Sequence, residues 1–249
     1  MRTIIILAVL AASISIIYSQ SYTEAFDSVF VNISKVQATT GILYERVVPF
    51  ANLVNYNSNV RSAVDTSNFT NFIQSYSELY RAAFDTAVRP PWTVTDFEEQ
   101  IQNNYESDVI DIGILHYKFN VIDSAVAYQK LYFDTDSVLY EDTTITASLY
   151  LLQTAFVVSP LSLNSSGTNG MFFRFNSIFN FNNTGSTITL LLVDFDDGLG
   201  LRSVSMDSII YVSYFDSGLK TLQIVATYSN GETFTAYASI AIQVAQCTL

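Results

Sequence analysis

The sequence predicts an α+β protein: a mixed, partly helical N-terminal domain over 20–140, followed by an antiparallel β-sandwich over 141–249. Three observations predict it. Apolar residues recur at helical spacing as far as Tyr105 and alternate with a period of two from Ile112 onward. Turn signals at Gly185, Gly198, Gly218 and Ser229-Asn230-Gly231 divide the later apolar runs at short intervals, as in a sandwich. Composition agrees: 49% of residues are apolar and 14% charged, with 16 Tyr and 18 Phe. That is too apolar for a disordered chain and too poor in charge for a coiled coil.

Residues 1–19, with Arg2 before an apolar run and Ser19 before Gln20, read as a secretory signal peptide cleaved after Ser19. A membrane anchor is the alternative, but the run is short and lacks a basic flank. No later segment is apolar for long enough to span a bilayer, so no membrane span is expected after signal removal. From Ser21 a helix is expected, with Ser21 and Glu24 at capping-box spacing and a stripe of Phe26, Phe30, Ile33 and Val36. Gly41–Phe50 reads as a short strand ending at Pro49. A second helix is expected over 68–88, with Phe69, Phe72, Ile73, Tyr76, Tyr80, Ala83 and Phe84 on one face; Pro90 and Pro91 stop it. These aromatics read as core, a sugar-stacking platform being the alternative. Thr95 and Glu98 have the spacing of a further cap, opening a helix toward Tyr105.

The segment 112–123 is strand-like. Beyond it, β-prone runs at 143–158, 170–177, 187–195, 208–214, 219–228 and 232–244 form the sandwich. In the last of these Phe234, Ala236, Ala238, Ile240, Ile242 and Val244 face inward, and in its partner Leu222, Ile224, Ala226 and Tyr228 do. Ile188–Phe195 is apolar on both faces, as a strand covered on both sides would be.

The net charge of −12 repels phosphate backbones and so argues against nucleic acid as a partner. Cys247 is the only cysteine, which excludes an internal disulfide, a multi-cysteine zinc site and a CxxC redox pair.

Chemistry-bearing residues are few. His116 is the only histidine and lies between apolar residues with no G-x-S-x-G motif nearby. It reads as a satisfied or half-exposed strand histidine rather than a catalytic base. No P-loop, G-x-G-x-x-G or H-E-x-x-H pattern occurs. Glycosidase chemistry needs only two carboxylates at a set separation, and Glu45, Glu78, Glu98, Glu99 and the Asp194–Asp197 cluster are the candidates. The stretch VDFDDGLGLRSV (193–204) raises a second question. Asp194, Asp196 and Asp197 could hold calcium, or their side chains could bond turn amides as Asx turns do. An EF-hand loop needs a bidentate Glu at its twelfth position; counted from Asp194 that position is Ser205, so the stretch is not an EF-hand. A weak exposed calcium site and a structural turn both remain, the turn being favoured. No other cofactor is expected.

Asp194, Phe195, Asp197, Gly198, Tyr214, Gly218 and Thr221 resemble the signature of the PKD-type, immunoglobulin-like β-sandwich. Asp196 departs from it, where that family usually has glycine. The resemblance covers roughly residues 145–245 and implies a spacer, adhesive or glycan-contacting module on an exported protein. The N-terminal stretches TGILYERVVPFANL, SYSELYRAAFD and GILHYKFNVID resemble exported proteins of Bacteroidetes-type bacteria, many of which carry a C-terminal sorting domain. None is seen after Val244, which leaves open that the chain is a piece of a longer one. That resemblance also implies O-glycosylation at Asp-Ser/Thr motifs: Ser28, Thr86, Ser124, Ser137, Thr143 and Ser208. The sequons at Asn32, Asn68, Asn164 and Asn182 matter only in a eukaryotic host. The expected function is therefore that of a non-catalytic exported protein, at the cell surface, outside the cell or in the periplasm. It would act in adhesion, assembly or glycan contact, with a surface glycan or protein as partner. The alternative is a secreted glycan-active hydrolase using paired carboxylates.

Overall fold

Two β-sheets packed face to face, with helices on the outer side of one of them, make up the architecture of the computed structural model. It describes residues 27–58, 66–135, 138–162, 165–167 and 170–244. The expected signal peptide, the expected Ser21–Glu24 cap, Phe26, Ser137, Asn164 and Cys247 lie outside the described residues. The protein is of mixed α+β class.

The first sheet runs β1 (Thr66–Ser67), β12 (Thr233–Val244), β11 (Gly218–Tyr228), β8 (Ile188–Asp194) and β9 (Arg202–Val204), with β6 (Ser165–Gly167) also paired to β12. The second runs β10 (Ile209–Ser213), β7 (Gly170–Asn182), β2 (Val109–Ile122) and β5 (Tyr150–Pro160). A small hairpin pairs β3 (Leu131–Phe133) with β4 (Leu139–Glu141). The sandwich is not purely antiparallel: β7 runs parallel to β2, and β1 and β6 run parallel to β12. Strand β2 falls in the sequence before residue 140, yet it lies between β5 and β7 in the second sheet. A segment beginning at 141 therefore lacks the strand on which both of its neighbours pair.

The inner faces alternate as the sequence predicts. Leu222, Ile224, Ala226 and Tyr228 of β11 and Ala236, Ala238, Ile240 and Ile242 of β12 are buried against Ile112, Ile114, Phe173, Phe175 and Val158 of the other sheet. Each of the Leu, Ile, Val and Phe side chains among them contributes roughly 1.5–3 kcal/mol by leaving water. Strand β2 and the second half of β5 are covered on both faces, and β8 is not. Behind β2 a second core forms, in which Leu115, Tyr117 and Phe119 meet Phe72, Tyr76 and Phe97. On β8, by contrast, Leu190 is exposed, because the helices cover only the second sheet. The sequence hides this because β2 carries polar residues, His116 and Asn120, that are themselves buried.

Helix α1 (Phe69–Ala82) starts at Asn68, whose side chain accepts from the Asn71 amide while Asn71 returns the bond, a reciprocal cap. It ends at Ala82, before the prolines, where the Leu43 amide and Arg46 Nη1 bond the Ala82 carbonyl. A Cβ on Gly113 would stand 2.7 Å from the Phe72 ring, so this glycine lets α1 lie close on β2. Helix α2 (Val94–Asn103) is capped by Thr93 with Asp96 rather than by Thr95 with Glu98. Its Phe97 stacks on Tyr76 at 4.4 Å, and the Tyr76 hydroxyl holds both Trp92 backbone groups. Helix α3 (Ser124–Lys130) leads into the β3–β4 hairpin.

Two N-terminal expectations differ. Among the described residues the first stripe is helical only over 27–29; Phe30 and Ile33 are buried but Val36 is exposed. The segment 41–50 is no strand. It makes single bridges at Ile42 and Leu43 and then a 3-10 turn, Tyr44–Arg46, whose Tyr44 and Arg46 turn inward to polar partners. No helix among the described residues is long and apolar enough to cross a membrane.

Candidate functional site

The acidic hairpin between β8 and β9 engages all three of its carboxylates. Asp194 Oδ1 accepts from the Asp196 amide at 2.9 Å, and Asp196 Oδ2 accepts from the Thr221 amide at 3.0 Å. Asp197 Oδ1 takes the Leu199 amide at 3.2 Å and Arg202 Nη1 at 3.0 Å, while Oδ2 takes Arg202 Nη2 at 2.7 Å. Burial pushes the Asp197 carboxyl up, but the paired guanidinium and the amide bonds outweigh it and hold it below the usual aspartate range. Arg202 also lies over the Phe195 ring at 4.8 Å, and the buried Tyr214 hydroxyl donates to the Phe195 carbonyl at 2.8 Å. Asp196 has a φ of 59°, a left-handed conformation that Asp tolerates better than most side chains.

The carboxylates thus do the work of Asx turns and of a salt bridge. Among the described residues no three His, Cys, Asp or Glu side chains gather as a metal-binding group. In a thermal melt, millimolar calcium against chelator is expected to leave the transition unmoved. A rise of several degrees that Asp196→Asn abolishes would instead establish the ion site.

His116 is neither satisfied nor half-exposed. It has no exposed surface, and neither ring nitrogen has a hydrogen-bond partner among the described residues. Its ring lies 4.2 Å from Tyr228 and 4.4 Å from Phe234, centroid to centroid. Burial drives its pKa down to about 4; Glu232 opposes this and Lys118 adds to it. A base enclosed in the sandwich core cannot meet a substrate.

Two of the candidate glutamates are enclosed in the N-terminal part. Both oxygens of buried Glu78 are used: Oε1 accepts from the Phe50 and Ala51 amides at 2.6 Å each, and Oε2 from the Tyr44 hydroxyl at 2.7 Å. Glu45 Oε1 accepts from the Ile122 amide at 2.7 Å, and Oε2 is enclosed without a partner among the described residues. Burial raises the Glu45 pKa, a trait of general acids, yet its second oxygen has no opening through which to reach a substrate. Glu98 and Glu99, with Phe69 and Ile101, line an open depression beside α2. As successive residues on a helix they point in different directions.

What sequence reasoning missed lies on the outer face of the second sheet, beyond the helices. There Phe172 of β7 and Tyr211 of β10 sit directly opposite each other, their rings 5.2 Å apart, and both are exposed. One row along, Arg174 is held by Asp111 through Nε at 2.7 Å and Nη2 at 3.0 Å, and by Glu106 at 2.9 Å. The signal was available: Ile209–Ser213 is apolar on both of its faces, as β8 is.

Against known proteins, the chain matches no family model and no curated sequence.

Proposed function

We propose that the protein is a non-catalytic exported protein, at the cell surface or outside the cell, that acts by contact: adhesion, assembly or glycan binding. One observation carries the reading. His116, Glu45, Glu78 and the three aspartates of the hairpin are enclosed, or are taken up by amides, a hydroxyl and a guanidinium, while aromatic rings stand open on the second sheet. The sandwich is proposed to be a PKD-type, immunoglobulin-like module. In support, Asp194, Phe195, Tyr214 and Thr221, which carry that resemblance, belong to one hydrogen-bonded cluster. Asp196, the departure from the pattern, has the positive φ that glycine adopts readily. Ser28, Thr86, Ser124, Thr143 and Ser208 are all exposed and are proposed as O-glycan acceptors.

The alternative hydrolase draws on the depression beside Glu98 and Glu99. Purified protein is expected to be inert on ester, peptide and polysaccharide panels. Turnover lost on Glu98→Gln or Glu45→Gln, with the fold retained, would overturn the contact reading.

A further inference from the structure

The exposed aromatic face of the second sheet has features that select a partner. Tyr211 is 59% exposed although it sits in a strand, and its ring lies against the backbone of Gly170. A Cβ on Gly170 would collide with that ring, so the glycine leaves room for it to lie down on the sheet. The tilted ring of Phe172 flanks it. The result is a fixed aromatic surface rather than a mobile side chain, and ordering it on binding costs little.

The charge beside this surface is negative. Arg174 is already bound by Asp111 and by Glu106, whose side chain is 51% exposed. Asp108, nearby in sequence, is exposed as well. Asp111 and Glu106 thus stand against one base, and that base has its partners. The chain as a whole carries −12. An anionic ligand meets repulsion here. A cation gains from the ring faces and from the carboxylates together, since ammonium and guanidinium groups are attracted to aromatic faces.

We propose that the Tyr211–Phe172 face binds a lysine- or arginine-rich polypeptide segment of a partner protein. A basic side chain lies over the Tyr211 ring and a neighbouring one meets Glu106. The proposal rests on the contact reading above and narrows it to a protein partner.

The test is a fluorescence anisotropy titration of the full chain with a labelled lysine–serine repeat peptide. A glutamate–serine peptide and a panel of soluble neutral polysaccharides, the latter in affinity electrophoresis, run in parallel. Binding of the lysine peptide is expected, weakening between about 50 mM and about 300 mM salt as screening grows. Tyr211→Ser, which leaves net charge unchanged, is expected to weaken it about tenfold, while Tyr211→Phe stays within about twofold because the ring face is kept. Glu106→Gln is expected to weaken it about threefold by making the site one unit less negative. Melting curves of each variant check the fold; Tyr211 is exposed on an edge strand, so its loss leaves the core intact.

Equal affinity in Tyr211→Ser would mean that net charge alone attracts the peptide, and would overturn the proposal. So would absence of lysine-peptide binding, or retardation by a neutral polysaccharide that Tyr211→Ser abolishes. Each of these leaves the contact reading standing, which only turnover on the hydrolase panels removes.

Discussion

Acidification from pH 6.5 to pH 4 is expected to cost the protein about 3 kcal/mol of folding stability through His116 alone. The imidazole is fully enclosed among Tyr228, Phe234 and Phe156, and its pKa falls from 6.5 to about 4 in the folded state. Between those values the unfolded chain binds a proton that the folded chain refuses. The contribution is complete above pH 6.5 and is lost as pH falls through the folded value. Glu232 and Lys118 are the charges that act on it, with opposite sign. Denaturant unfolding of the native protein and of His116→Phe, at matched pH values across this range, measures it. Phenylalanine fills a similar volume among the same rings and takes up no proton, so the difference between the two should shrink by about 3 kcal/mol on acidification. Asp27 and Asp197 have lowered pKa values and do not act on the histidine, so their contributions disappear only at lower pH and cancel in the comparison. Glu232, also lowered, acts on His116 and is part of what the comparison measures. A difference that does not move with pH would show that the histidine is hydrated.

Glu78→Ala is expected to destabilise the protein by about 3–5 kcal/mol, because two buried donors, the Tyr44 hydroxyl and the Ala51 amide, lose their acceptor. Glu78 fastens the segment after the 3-10 turn to α1, and the Tyr44 hydroxyl in turn accepts from the Leu53 amide at 3.0 Å. Glu78→Gln keeps one carbonyl for the amides but turns a second donor on the Tyr44 oxygen, and a loss of about 1–2 kcal/mol is expected. Urea unfolding separates the two variants. Equal, small losses would mean that water reaches the segment and replaces the carboxylate.

Helical and strand periods carried most of the sandwich. Strands β11 and β12 alternate cleanly because one face meets the core and the other solvent, so their inward residues could be named before any coordinates. Helix α2 was placed to within a few residues, while α1 was expected to run on to 88. Helix α3 was not anticipated, and the stripe from Ser21 is helical only over 27–29 among the described residues. The ends depended on distant groups. Helix α1 stops where Leu43 and Arg46 take its last carbonyls, and no local pattern announces that. The strands with two apolar faces were the hard ones. Two-sided apolarity on Ile188–Phe195 reads as double coverage, yet it leaves Leu190 in water, and the same pattern on Ile209–Ser213, which was not singled out, leaves Tyr211 in water. Strand β2 is enclosed on both sides, as is the second half of β5, and the buried His116 and Asn120 of β2 disguise it. Asn120 is rewarded by Thr40, whose hydroxyl donates to it at 2.7 Å; His116 has no such partner among the described residues. At the candidate site, Asx-turn chemistry was legible in the spacing of the aspartates. The bidentate grip of Arg202 and the bond to Thr221 were not, since they join residues whose proximity is set by the hairpin and by the neighbouring strand.

Strand β12 lies between β11 and the short strands β1 and β6, with Thr66 beside Tyr237 and Ser165 beside Ile242. It is also the last described strand to be synthesised. The first sheet therefore stays incomplete on the ribosome until nearly all of these residues have emerged, and β1 waits for a partner made long after it. Closing contacts over so much intervening chain is slow. The second sheet and the helices on it are built without β12, so on a nascent chain they can close first, and protease resistance of the first sheet is the last to arrive, with β12.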